Sequence, residues 1–281
     1  MHNCLILISN ERNLLYLRNL INRTMRNYIV TLCILALSLV SCTTRNSGPV
    51  IFPIQDNADP RVMGRGLFAD APDSLIEELG IEEGIPSSVN AFLVRTDGKE
   101  ILFDAANGAA NSRLMPVLDS LGTVPDDIDM IFITHLHGDH FGGLMRNGEA
   151  AFPNAELYIN KVEYDAWMSM PEDKTVRLRT VLDAYRGRLN TFASDDVLPC
   201  GIKALEAYGH TPGHTAYIIG DIMIVGDIMH GIALQLDHPE YCAAFDMDKE
   251  LAVKTRMSMI RKAREENLRM YGMHFPAPYF L

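Results

Sequence analysis

The chain has 281 residues, 48% of them hydrophobic and 22% charged, a balance that builds a folded core and excludes a disordered or multi-pass membrane protein. Its 25 Lys and Arg against 36 Asp and Glu give a formal charge of -11. No basic stripe breaks that acidic background, so nucleic acid is not expected as a partner. Five cysteines, none in a CxxC pair, make no disulfide framework.

Residues 1-41 read as a targeting segment. The apolar run from Tyr28 to Val40 follows Met25-Arg26 and precedes Ser41-Cys42, which supplies the charged, apolar and small-residue regions of a secretory signal. The run is short for a membrane span, which takes about 20 residues. Leu39-Val40-Ser41-Cys42 resembles a bacterial lipobox, in which the cysteine thiol carries lipid. Met25 fits as the initiator of so compact a signal better than Met1 does. The expectation is an extracytoplasmic protein of a bacterial envelope, anchored to the membrane through lipidated Cys42; an uncleaved anchor and a simple secretory signal are the alternatives. Residues 42-60 then form a tether and lead-in, and 61-281 a single α/β domain. Cys200 and Cys242 are the thiols left in that domain and could pair in an oxidising compartment.

Within the domain, Ser88 to Arg95 and Glu100 to Asp104 are β-rich runs joined by Thr96-Asp97-Gly98-Lys99, a hairpin signal. Ser112 to Leu121 reads as a helix with Ser112 as its cap and Gly122 beyond its end. Met130 to Ile133 is a buried strand that runs into Thr134-His135. Strands follow at Glu156 to Ile159, Ile202 to Ala207, Ala216 to Ile219 and Ile222 to Val225, with helices over Lys161 to Ser169, Lys174 to Leu189 and Lys249 to Glu266. The charges of the last helix, Arg256 among them, read as a solvated face. Trp167 is read as packing or as a pocket wall, and Met257, Met259, Met270 and Met273 as gap-filling hydrophobes.

The chemistry lies in His135-Leu-His137-Gly-Asp139-His140. Imidazoles and carboxylates are the ligands of borderline divalent metals such as zinc, and four of them within six residues do not pack as ordinary core. His135 and His137 alternate along a strand exit and can point the same way, whereas Asp139 and His140 diverge and suit a second ion. Gly209-His210-Thr-Pro-Gly-His214-Thr is a tight turn, Gly226-Asp227 closes an apolar strand, and Met273-His274 follows another. Joint occurrence with HxHxDH turns these into metal-ligand candidates.

At these residues the chain resembles the metallo-β-lactamase superfamily, from about Arg61 onward. The resemblance implies an αβ/βα four-layer sandwich. It assigns His135, His137 and His214 to one metal and Asp139, His140 and His274 to another, with Asp227 bridging and His210 in a supporting role. The cofactors implied are two divalent ions, zinc by default, with manganese, iron or cobalt also suited. Asn90-Ala-Phe-Leu-Val94, Phe152-Pro-Asn154, Lys161, Trp167, Gly226-Asp-Ile-Met-His230 and Phe245-Asp-Met-Asp248 look most like the methyl parathion hydrolase-like and N-acyl homoserine lactonase-like group. His230 stands where many lactonases carry a tyrosine, and the segment after His274 looks shorter than that group's usual tail.

A pair of ions can lower the pKa of a shared water toward ~7 and supply hydroxide without a protein base. The reaction implied is hydrolysis of a small neutral or apolar ester, a lactone first, with aryl ester or phosphotriester turnover beside it. Asp139 or Asp227 would return a proton to the leaving group. His230 either stabilises the oxyanion or only orients Asp227. An iron persulfide dioxygenase-like oxidoreductase, a thioesterase and a non-catalytic ligand-binding lipoprotein are the alternatives. Oligomeric state is left open, a homodimer included.

Overall fold

In a computed structural model of the protein, which describes residues 48-281, the chain enters the fold with β1 (Val50–Gln55). This strand pairs antiparallel with β4 (Asn90–Thr96), so the folded unit begins ahead of the expected boundary at residue 61, inside what reads as lead-in. Pro53 sits within β1, which is tolerable because β1 is an edge strand with a free side. The signal segment, the Met25 start and Cys42 lie outside the described residues.

The alternation of Ala91, Phe92, Leu93 and Val94 explains how the layers form. Side chains of a strand point to opposite faces in turn, and here both faces are apolar. β4 therefore lies in the middle of a sandwich. With β5 (Lys99–Phe103), β6 (Met130–Phe132), β9 (Glu156–Asn160) and β10 (Leu189–Phe192) it builds a six-stranded sheet in the order β1-β4-β5-β6-β9-β10. The hairpin over Asp97-Gly98 forms as expected, and β5, β6, β9 and β10 run parallel. A four-stranded sheet, in chain order, joins β11 (Lys203–Glu206), β12 (Thr215–Ile219), β13 (Ile222–Ile224) and β14 (Arg269–Tyr271).

Phe92, Val94, Phe103 and Phe132 from the first sheet pack against Tyr217, Ile222, Ile224 and Tyr271 from the second. The other face of the first sheet, with Leu93, Leu102, Ile131 and Leu157, is covered by α2 (Leu114–Ser120) and α5 (Glu172–Tyr185). That of the second, with Ile218, Met223 and Met270, is covered by Met259, Ile260 and Ala263 of α7 (Lys249–Glu265). The result is the expected helix, sheet, sheet, helix order. A satellite cluster of Met63, Phe68, Ile76 and Ile85 unites β2 (Arg61–Met63), β3 (Ile85–Ser87) and α1 (Asp73–Glu78) beside the main core, while β7 (Met145–Arg146) and β8 (Glu149–Ala150) make a short antiparallel pair and α6 (Ile232–Gln235) a single turn.

Several local expectations change. The helix expected over Lys174 to Leu189 stops at Tyr185, and Leu189–Phe192 is strand β10. Its Leu189 packs toward the helix layer and its Phe192 between the sheets. Ser112 does not cap α2 alone: Asp56, from just beyond β1, accepts the Arg113 and Leu114 amides at 2.9 and 3.1 Å and holds the Ser112 hydroxyl. Arg256 is fully buried instead of solvated, because Asp246 at 3.1 Å and the Ile228 carbonyl at 2.6 Å receive its guanidinium. Cys200 and Cys242 are separate free thiols rather than a pair.

Candidate metal centre

The site lies where both sheets release their strands. After β6, Ile133 stays in the core and Thr134 anchors the loop: its amide and hydroxyl each donate to Asp104 at 2.7 Å. His135 follows, then His137 at the entry to the single turn α3 (Gly138–Phe141), which carries Asp139 and His140. The second sheet supplies His210 and His214 from the turn between β11 and β12, Asp227 and His230 from the loop after β13, and His274 after β14.

Asp227 is the hub. Its Oδ2 is 3.0 Å from His274 Nε2, 3.2 Å from His230 Nε2, 3.5 Å from His210 Nε2 and 3.8 Å from His135 Nε2. Its Oδ1 is 3.3 Å from His140 Nε2. On one side His137 Nδ1 stands 2.9 Å from His135 Nε2 and 3.0 Å from His210 Nε2. On the other, Asp139 is 3.8 Å from His140 Nε2 and 3.6 Å from His274 Nε2.

The far nitrogens of these rings are already engaged. His210 Nδ1 faces Asp246 at 2.9 Å, His140 Nδ1 faces Asp104 at 2.6 Å, His274 Nδ1 faces the Ser88 carbonyl at 2.8 Å, and His135 Nδ1 faces the Thr134 hydroxyl at 3.1 Å. Each is a Nδ1–H held by an acceptor, which turns Nε2 inward as a ligand atom.

Burial pushes His135 well below the usual histidine range, and it pushes His137 down to about 3, with His210 adding to the effect. Both stay neutral. Burial opposes ionisation of Asp227, yet His140, His274 and His230 hold it well below the usual carboxylate range. In return the carboxylates of Asp227, Asp104 and Asp139 overcome burial and raise His140, and those of Asp227 and Asp139 raise His274.

The residues fit divalent cations. His137 Nδ1 lies within 3.0 Å of both His135 Nε2 and His210 Nε2, and a single proton on it can satisfy only one of them. Buried His140 Nε2 and Asp227 Oδ1 have no hydrogen-bond partner although they face each other. The ligand-capable groups include His135, His137, His210 and Asp227, and Asp139, His140 and His274; His230 forms further such groups with His210 and Asp246 and with Asp227 and His274.

His210, rather than His214, lies with His135, His137 and Asp227 in one group able to hold an ion, while the sequence reading assigns His214 to that ion. His214 Nε2 accepts the Asp227 amide at 2.9 Å, and its buried Nδ1 has no hydrogen-bond partner among the described residues. Gly226 makes this approach feasible: its φ is +54°, and a Cβ there would run into the His214 ring.

Glu163, which sequence reading passes over, ties the two halves together. In α4 (Lys161–Met168) and wholly buried, it accepts the Leu136 amide at 2.9 Å, Trp167 Nε1 at 2.7 Å, and the Thr211 hydroxyl and Gly213 amide at 2.8 Å. Gly213 is required there, because a side chain would meet the Glu163 backbone. Trp167 packs its ring edgewise on His137, centroids 5.6 Å apart.

The sequence profile of the metallo-beta-lactamase superfamily matches residues 84–274. The chain belongs to that superfamily. Among relatives of this metallo-beta-lactamase-fold protein, N-acyl homoserine lactonase AiiA of Bacillus thuringiensis subsp. kurstaki is 27% identical over 165 residues, 57% of this chain and 61% of its own length. Exodeoxyribonuclease WalJ of Streptococcus pneumoniae is 27% identical over 173 residues, 58% and 62%. The chain therefore spans under two thirds of either relative. Of solved structures, the beta lactamase superfamily hydrolase AbOPH superposes with a TM-score of 0.73 at 29% identity, covering 83% of this chain and 89% of its own. The dizinc quorum-quenching lactonase AidC does so with a TM-score of 0.75 at 24% identity and the same coverage, a likeness of fold.

Proposed function

We propose that the protein is a metal-dependent hydrolase of small esters, with a lactone as first choice and aryl ester or phosphotriester turnover beside it. The observation that carries this reading is the convergence of inward-facing histidine nitrogens on the Asp227 carboxylate. His135, His137, His210 and Asp227 would hold one divalent cation, and Asp139, His140, His274 and Asp227 a second, with zinc the default for such a donor set. Bound there, the cations would supply Lewis acidity and activation of water at neutral pH.

The chain's own groups would do the rest. Asp139 is 30% exposed and lines the cavity, where it can carry a proton to a departing alkoxide. His230 also lines that cavity; its Nε2 lies 3.2 Å from Asp227 Oδ2, and its Nδ1 has no hydrogen-bond partner among the described residues. It is placed to donate to negative charge that develops on a carbonyl oxygen. The Gln235 side chain fixes it by accepting the His230 amide at 2.7 Å. Relatives named as lactonases support the lactone choice.

The test is metal content of purified protein expressed from Thr43, beside a panel of lactone, thioester, aryl ester, phosphotriester, persulfide and single-stranded DNA. About two ions per chain with lactone opening supports the proposal. One tight iron with oxygen uptake on a persulfide, cleavage of thioesters or DNA alone, or metals bound without turnover would replace it. From the sequence we also infer lipid anchorage at Cys42 on the outer side of a bacterial membrane.

A further inference from the structure

The cavity above Asp227 is small, about 250 Å³ against the roughly 300–1,000 Å³ of sites for drug-sized ligands. Asp139, Asp227, His230 and His274 line it together with Arg61, Met63 and Phe245. Arg61 and Met63 come from β2, which the satellite cluster of Phe68, Ile76 and Ile85 holds in place. Phe245 is 47% exposed, with its ring 5.7 Å from that of His230, so it offers an apolar face next to the candidate oxyanion donor.

The Arg61 guanidinium makes no ion pair or hydrogen bond among the described residues, unlike those of Arg95, Arg256 and Arg269, which pair with Glu100, Asp246 and Asp221, and Arg61 is the arginine of this cavity's lining. The two carboxylates of the cavity lining, Asp139 and Asp227, are already engaged with His140, His210, His230 and His274. A half-buried guanidinium in the lining of a small cavity, without a partner among the described residues, is a fork for a planar anion.

We propose that Arg61 selects substrates bearing a carboxylate beside the scissile ester, with the remaining apolar part of the substrate against Phe245. This rests on the hydrolase reading and narrows its substrate class from neutral to anionic.

The test is steady-state kinetics of the metal-loaded protein on γ-butyrolactone and γ-carboxy-γ-butyrolactone. The wild type is expected to prefer the carboxylate. Arg61→Ala is expected to lower the carboxylate-to-neutral ratio of kcat/KM by about 10- to 100-fold, the range for losing a charge-assisted hydrogen bond, mainly through KM. Arg61→Lys should keep part of the preference, and Arg61→Glu should reverse it. Melting temperature and metal content of each variant show whether the fold is intact, and the Lys variant keeps the test alive if the Ala variant does not fold. Equal ratios in the wild type and in folded Arg61→Ala would overturn the role of Arg61 and leave the hydrolase reading standing. No opening of any ester or lactone by the wild type would instead remove the hydrolase reading itself.

Discussion

Asp246 places one carboxylate oxygen 2.9 Å from His210 Nδ1 and the other 3.1 Å from the guanidinium of Arg256. The pair fixes the proton of His210 on the far side of the ring from Asp227, and Arg256 in turn binds the carbonyls of Ile228 and Pro239. Asp246→Ala leaves Arg256 buried without its counter-charge, so a loss of about 3–5 kcal/mol is expected in denaturant unfolding. Asp246→Asn keeps the shape and should weaken metal binding by about 10- to 100-fold in a competition titration. Wild-type metal affinity in the Asn variant would show that Asp246 does not position His210.

Which of His210 and His214 serves the ion is open to a direct comparison. His210→Ala should fall to about one tightly held ion per chain. His214→Ala should keep the full donor set but strand the Asp227 amide, at a cost of about 1–3 kcal/mol in stability. Elemental analysis and unfolding curves of the two variants separate these outcomes; equal metal loss in both would place both rings at the ion.

Asp104 takes three hydrogen bonds, from Thr134 twice and from His140, while its own backbone sits at φ +54°. Asparagine tolerates that conformation better than other non-glycine residues and retains an acceptor. Asp104→Asn is therefore expected to lose less metal affinity than Asp104→Ala, whose loss should reach about 10- to 100-fold. The check is calorimetric titration of both variants; the reverse order would mean that charge and geometry at Asp104 do not govern His140.

Glu163→Gln tests the brace between the two loops. All four partners of Glu163 donate, so the amide NH2 of glutamine must face a donor on one side. A loss of about 1–3 kcal/mol is expected in chemical denaturation. No change would show that the loops are held by their other contacts.

At the amino terminus, Cys42→Ser should move the protein from the membrane fraction to the soluble one, because stable anchoring takes more than one acyl chain and a lipobox cysteine carries several. A variant that stays membrane-bound at full length would identify Tyr28 to Val40 as an uncleaved anchor.

His135, His137, Asp139, His140, Asp227 and His274 are legible in the sequence because each sits at a fixed offset from an apolar strand or in one short motif. That His210 faces the Asp227 carboxylate while His214 faces its amide is not, since it depends on how the turn aims each ring and on Asp246, 36 residues from His210 in the chain. Arg256 looks like its charged neighbours on α7 until the fold brings Asp246 over it. Pro53 disguises β1, because a proline argues against a strand unless that strand is at an edge. Asp104 and Glu163 carry no local signal at all: a lone carboxylate in a strand end or a helix declares itself only through the donors that tertiary structure delivers.

The two sheets contribute donors from opposite parts of the chain, His135 to His140 from the first and His210, Asp227 and His274 from the second. A growing polypeptide therefore cannot assemble the whole donor set until residue 274 has been synthesised and the sheets have docked. Ion uptake would then act as a late checkpoint in biogenesis. Properly docked copies would gain about 2.7 kcal/mol when free metal is 100-fold above its dissociation constant, whereas truncated or misdocked copies would forgo that gain and be left to proteolysis. Scarcity of metal in the surroundings would then lower the amount of protein as well as its activity.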